Sequence, residues 1–192
     1  MRIVVTGSIG TGKSTVCHAL LQHMPGYDLV SADQMVHELY ANNTQFQAGL
    51  QSKFGTTDRK AIARIVFADR AKRVELEALS WAFLAQAVDA LFLKENVIFE
   101  FPLFFEHPHW LGCPDVVIVL GCDEQTQRAR VYARDGISVE AVDRILAAQL
   151  PQAEKAKRAD IYLDTSGSLD SVLAAVAALP AQLNRFATSS KS

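Results

Sequence analysis

A chain of 192 residues with 49% hydrophobic content is long enough for one α/β domain with small insertions and a full core. Nineteen basic residues against twenty-one acidic ones give a formal net charge of −2, so the balance offers no general support for nucleic-acid binding and leaves only a local basic patch open. No segment approaches a membrane span, and the three cysteines (Cys17, Cys113 and Cys122) form no C-x-x-C pair and read as apolar fillers in a reducing compartment.

Taken in order, Arg2-Ile3-Val4-Val5-Thr6 predicts a buried strand. It is too short for a signal peptide, so a cytoplasmic protein is expected. The strand enters Gly7-Ser8-Ile9-Gly10-Thr11-Gly12-Lys13-Ser14-Thr15, which fits G-x-x-x-x-G-K-[ST] at Gly7, Gly12, Lys13 and Ser14. Glycines let the backbone approach a polyphosphate closely, and successive N–H groups then point into one concavity at the start of a helix. Lys13 supplies a mobile positive charge for β- and γ-phosphate oxygens, and Ser14 offers a hydroxyl to Mg²⁺. Val16, Ala19 and Leu20 recur at helical spacing between Ser14 and His23, which completes the strand, loop and helix that the motif demands. Gly7, Gly10, Thr11, Gly12, Lys13, Ser14 and Thr15 are therefore expected to bind the phosphates of ATP.

Tyr27-Asp28-Leu29-Val30 predicts a second strand with Ser31-Ala32-Asp33 at its carboxyl end, where open α/β sheets bind ligands. Asp33 has two readings, a cap for the helix begun by Met35, Val36 and Leu39, or a residue of the chemistry. From Thr44 to Lys94 the pattern is almost entirely helical. Phe46, Leu50 and Phe54 form one stripe, Asp58-Arg59 starts another, and a long pattern runs from Val74 to Leu91. So much helix exceeds one crossover, which points to a helical substrate-binding insertion over about residues 33–94.

Asn96 to Phe101 is an apolar strand carrying Glu100, a candidate for the Mg²⁺ shell, and Val116 to Leu120 is a fourth strand. His107 and His109 flank Pro108 with no further ligand nearby, which disfavours a metal site there. Asp123 starts a helix that becomes basic at Arg128, Arg130 and Arg134. Such a run usually marks a solvated face, yet a phosphate-loop protein also needs a second source of positive charge. Ser138 to Gln149 makes the next helix, and Lys155, Lys157 and Arg158 follow Pro151. Ile161 to Asp164 is the fifth strand, a final helix covers Leu169 to Leu183, and the polar tail from Thr188 to Ser192 is expected to fray.

These elements predict an α/β fold of the P-loop NTPase type in three layers, a five-stranded parallel sheet with helices on both faces. The expected organisation is a single domain with the helical insertion, since no linker separates independent parts of the chain.

The ordered motifs V-T-G-S-I-G-T-G-K-S-T, S-A-D at Asp33, D-R-K-A-I-A-R-I-V-F from Asp58 and F-P-L-F-F-E from Phe101 resemble the dephospho-CoA kinases. So do Q-R-A-R-V-Y-A-R-D-G from Gln127, R-I-L-A-A-Q from Arg144 and K-A-K-R-A-D-I-Y-L-D-T-S-G-S from Lys155. The resemblance implies transfer of the ATP γ-phosphoryl group to the ribose 3′-hydroxyl of dephospho-CoA, with Mg²⁺ and with small molecules rather than nucleic acid or membrane as partners. It also implies one kinase domain with a helical lid at about residues 123–158; by position, Asp33 would face that hydroxyl and Arg134 would reach the phosphates from the lid, with Lys13 at the transferred group. Ser8 stands where the family usually has a second Gly, Ser80-Trp81 where it has His-Pro, Glu100 where Asp is frequent, and Thr165 in place of Asn. The competing readings are a kinase for another small hydroxyl or nucleotide, and a nucleotide-binding regulatory module, although no N-K-x-D guanine-reading sequence is present.

Overall fold

A computed structural model describes residues 1–187, so the expectation for the tail at 188–192 lies outside the described residues. Five strands form one sheet: β1 (Arg2–Gly7), β2 (Asp28–Ser31), β3 (Val97–Glu100), β4 (Val116–Gly121) and β5 (Ile161–Asp164). Their spatial order is β2-β3-β1-β4-β5, all parallel, with helices on both faces. The three central strands, β3, β1 and β4, are mostly apolar and buried along nearly their whole length, as a sheet covered on both sides requires. Alternation sorts their side chains. Ile3 and Val5 of β1 and Val116, Ile118 and Leu120 of β4 join one core with Val16, Cys17 and Leu20 of α1 (Lys13–Gln22). Val172, Val176, Leu179 and Leu183 of the last helix, α9 (Leu169–Ala187), close that core. Burial pushes the Cys17 thiol's pKa up, as befits a cysteine used as a small apolar residue.

The described residues divide into two compact units, residues 1–30 with 94–187, and Ser31–Leu93. The second unit is wholly helical after the end of β2: α2 (Ala32–Asn42), α3 (Thr44–Phe54), α4 (Arg59–Ala68) and α5 (Arg70–Phe92). Each of the last three begins at a side-chain cap, where Asn43, Asp58 and Asp69 accept hydrogen bonds from Phe46, Ala61 and Ala71 N–H groups. Phe46, Leu50 and Ile62 form its buried centre, and Phe46 meets the rings of Tyr40 and Phe83 edge-on at 5.1 and 5.7 Å between centroids. Ser80 and Trp81 lie inside α5, which runs unbroken for 23 residues. With no proline there, nothing removes a backbone donor from the helix interior.

In the first unit, β3 is followed by two short 3-10 turns at Phe104–Glu106 and Pro108–Trp110, and His107 stacks on the Phe101 ring. Between β4 and β5 lie α6 (Glu124–Asp135), α7 (Val139–Ala148) and α8 (Gln152–Lys157), begun by Asp123, Ser138 and Pro151. Lys155 of α8, although it sits in a basic run, is fully buried. Its Nζ lies 3.3 Å from Glu106 Oε1 and 3.4 Å from the Pro102 carbonyl. Glu106 Oε1 also accepts from the Leu150 N–H at 2.9 Å, so one carboxylate ties the turn after β3 to the α7–α8 junction. Desolvation lowers the Lys155 pKa, and the Glu106 charge opposes that shift.

Removing one partner of such a pair strands the other. Lys155→Met is expected to destabilise the protein by about 3 kcal/mol, the low end for a buried pair because Glu106 is partly solvated. Adding Glu106→Gln to Lys155→Met is expected to recover part of that loss. Urea unfolding of both variants checks this, and equal stability of Lys155→Met and the parent would overturn the assignment of the pair as structural.

Candidate active site

The phosphate loop spans the gap between β1 and α1, and its three glycines all take positive φ. Gly12 caps α1 at φ +79°, in the left-handed region. Gly10 is also at φ +79°, and a Cβ there would stand 2.9 Å from the Gln127 carbonyl oxygen and 3.0 Å from Gln127 Cα. The loop and α6 therefore touch backbone to backbone. Ser8 fits without strain, since Asn96 is the only non-glycine with positive φ among the described residues.

Side chains fasten the loop from outside. Gln127 Nε2 donates to the Ile9 carbonyl at 2.9 Å, and the Ile9 N–H donates to Gln149 Oε1 at 3.3 Å. Thr165 Oγ1 lies 3.0 Å from the Thr11 carbonyl and 3.1 Å from that of Gly121, while its own N–H donates to Gly121 at 2.7 Å. A threonine thus does at this position what an amide could do. Thr11 Oγ1 and Lys13 Nζ both donate to the Ser8 carbonyl at 2.9 Å. The Lys13 ammonium therefore rests on its own loop.

Ser14 and Glu100 come together. Ser14 Oγ donates to Glu100 Oε1 at 2.8 Å, and Glu100 is 6% exposed. The parallel register sets Glu100 opposite Val5, two residues before the loop begins, which brings the end of β3 alongside the start of α1. Glu100 forms no ion pair with any described residue. A buried carboxylate beside a hydroxyl and without a cation is a pair of hard oxygen donors, the donor chemistry that suits Mg²⁺.

The basic run on α6 divides by helical period. Gln127, Arg130 and Arg134 recur at i, i+3 and i+7 and share one face. Arg130 Nη2 donates to the Thr165 carbonyl at 2.6 Å, and Arg130 borders a cavity of about 230 Å³ with Thr11, Gly12, Thr15, Thr165 and Leu169. Arg134, in the last turn and largely exposed, makes a two-pronged contact with Asp135 at 2.8 and 2.7 Å, which holds the Asp135 carboxyl below its usual range. Arg128 points elsewhere. It reaches Asp143 of α7 at 2.7 Å and Glu124 at 2.9 Å, so the solvated-face reading fails for it: it joins two helices. A second cavity of about 480 Å³ lies among Ser8, Gln127, Arg128, Asp143 and Gln149.

Asp33 belongs to the other unit. It is the second residue of α2 and is exposed, while the cap position is Ser31, so the reading of Asp33 as a helix cap is corrected. The helix starts two residues earlier than a cap at Asp33 would place it.

Sequence reasoning named the loop and Glu100, took Arg130 only as one of a basic run, and gave Gln127, Gln149 and Thr165 no part in holding the loop. The i, i+3, i+7 spacing on α6 was the available signal for Gln127 and Arg130. Gln149 and Thr165 act through hydrogen bonds to distant backbone, which leave no pattern in the chain.

The family model described as dephospho-CoA kinase matches residues 1–171. A protein of Symbiobacterium thermophilum named dephospho-CoA kinase is 38% identical over 93% of this chain and 80% of its own length. The crystal structure of TT1252 from Thermus thermophilus is 34% identical, with a TM-score of 0.71 over 94% of this chain and 96% of that one. The dephospho-CoA kinase from Campylobacter jejuni is 25% identical, with a TM-score of 0.64 over 95% and 96% of the two chains. Likeness of this extent, carried from the phosphate loop to the start of the last helix, establishes that the chain belongs to the dephospho-CoA kinase family and is a P-loop kinase.

Proposed function

We propose that this kinase transfers the γ-phosphoryl group of ATP to the ribose 3′-hydroxyl of dephospho-CoA in the cytoplasm, with Mg²⁺. The observation that carries the reading is the Ser14–Glu100 contact at the mouth of the phosphate loop, supported by the family to which the chain belongs. The first unit would bind ATP, with the base against Arg130 and Thr165, and residues 31–93 would hold the acceptor. The α6–α8 segment would act as the lid.

Phosphoryl transfer leaves a protein mostly positioning and charge neutralisation to do. The loop N–H groups hold the β- and γ-phosphates, and Lys13 exchanges the Ser8 carbonyl for a phosphate oxygen. Ser14 and Glu100 would hold Mg²⁺, which when bound offsets charge on the phosphate oxygens. Asp33 accepts the 3′-hydroxyl hydrogen bond and aims that oxygen at phosphorus. As the new O–P bond forms and the bond to the β–γ bridging oxygen breaks, the hydroxyl proton passes to Asp33. Arg134 leaves Asp135 and covers equatorial oxygens, and the closed lid keeps water from taking the phosphoryl group. Mass spectrometry of the product from ATP and dephospho-CoA tests the whole reading: a gain of one phosphate located on the ribose is expected, and absence of that product would overturn it.

Lys13→Ala is expected to lower turnover about a hundred- to a thousandfold, the loss associated with one transition-state donor, with the fold retained. Near-normal turnover would remove Lys13 from the chemistry. For Asp33→Asn a fall of about 10²–10⁴ in turnover is expected, whereas stability should change by about 1 kcal/mol at most, the worth of a carboxylate in the first turn of a helix. An active Asp33→Asn enzyme would leave the carboxylate only its helix-end role. Arg134→Ala and Arg134→Lys are both expected to lose activity, because an ammonium does not replace the two-pronged guanidinium fork. If both keep normal kcat, another residue neutralises the phosphates.

A further inference from the structure

One cation in the helical unit is held in a way that its packing alone does not require. Arg59 opens α4, and its guanidinium lies over the Tyr40 ring at 5.4 Å from the centroid. Its Nη1 stands 3.2 Å from His37 Nδ1. An arginine N–H can only donate, so Nδ1 is the acceptor and Nε2 is the ring nitrogen that carries a proton. Among the described residues Arg59 meets no carboxylate. By contrast Lys72, the cation set over the Phe54 ring in this unit, is paired with Glu75 at 3.0 Å. A guanidinium has five N–H donors, and Arg59 has spent one of them on a neutral ring.

The partners of Arg59 lie on a meaningful stripe. Asp33, His37 and Tyr40 recur at i, i+4 and i+7, which places them on one face of α2. At a rise of 1.5 Å per residue, His37 stands about 6 Å along the axis from Asp33 and Tyr40 about 10 Å. That interval is of the same order as the one between a ribose 3′-hydroxyl and the 5′-phosphates of the same nucleotide. His37 and Arg59 are exposed, so their remaining donors are open to a ligand.

We propose that Arg59, held in place by His37 and Tyr40, binds the diphosphate of the acceptor while Asp33 faces its 3′-hydroxyl. The inference rests on the proposed role of Asp33 and adds the group that fixes the other end of the ribose. The guanidinium fork matches two phosphate oxygens, and the stacked ring beneath it reduces the rotamer freedom lost on binding. His37 Nε2–H supplies a further donor.

Steady-state kinetics with Arg59→Ala and Arg59→Lys, together with calorimetric titration of dephospho-CoA without ATP, tests the site. Arg59→Ala is expected to raise both the KM and the Kd for dephospho-CoA about tenfold or more, the size of a lost charge-assisted hydrogen bond. The KM for ATP is expected to move less than twofold and the melting temperature to stay put. Arg59→Lys should recover part of the affinity, because it keeps the charge and loses the fork. A KM and Kd for dephospho-CoA within twofold of the parent would overturn the proposal. So would a rise in both KM values accompanied by a lower melting temperature, which would mark Arg59 as a packing residue. Failure of the parent enzyme to phosphorylate dephospho-CoA would instead remove the kinase reading, so the two failures are distinct.

Discussion

A phosphate loop works only if its N–H groups converge on the ligand, and that constraint governs much of the first unit. Peptide groups that face inward leave others facing outward, and buried ones need partners. Here Gln127, Gln149 and Thr165 supply those partners, taking the Ile9 carbonyl, the Ile9 N–H and the Thr11 carbonyl. Each comes from a different part of the chain, yet all three reach a stretch of three residues. The bare Cα of Gly10 lets α6 approach closely enough for Gln127 to do so. The loop is thus shaped as much by residues 118 to 154 positions away as by its own glycines.

The sheet supplies the second requirement, an acid at the helix start. In-register pairing of β1 and β3 carries Glu100 to the level of the loop, and a glutamate reaches Ser14 Oγ from there. Its position at the carboxyl end of a buried strand keeps it from solvent without giving it a basic partner. A buried carboxylate without an ion-pair partner is costly, so the fold gives up stability at Glu100 that an apolar residue there would not cost.

What the sequence made legible follows the range of the interactions. The strands were plain because Val97 to Phe99 and Val116 to Gly121 are uninterrupted apolar runs, and the caps Asp58, Asp123 and Ser138 act within three residues of themselves. The start of α2 was misjudged because Ser31 and Asp33 are both good cap formers, and only backbone geometry chooses between them. The burial of Lys155 had no local sign, since its partner Glu106 lies 49 positions earlier and its neighbour Lys157 is exposed. Arg128 and Arg130 read alike as members of one basic run, yet two positions on a helix separate faces by more than a right angle.

The Arg128–Asp143 contact is partly exposed and links α6 to α7, while Glu124 braces Arg128 from one turn earlier on α6. Such attraction is screened over roughly 10 Å at ordinary ionic strength, whereas the Lys155–Glu106 contact beneath α8 is shielded from dissolved ions. The same segment therefore has one fastening that responds to the solution and one that does not. Added salt would slacken the outer joint while the inner one held, so α6, which carries both Arg130 and Arg134, would gain freedom about an anchored base. Dissolved electrolyte thereby becomes a control on how loosely the arginines are presented, one that acts without touching the phosphate loop.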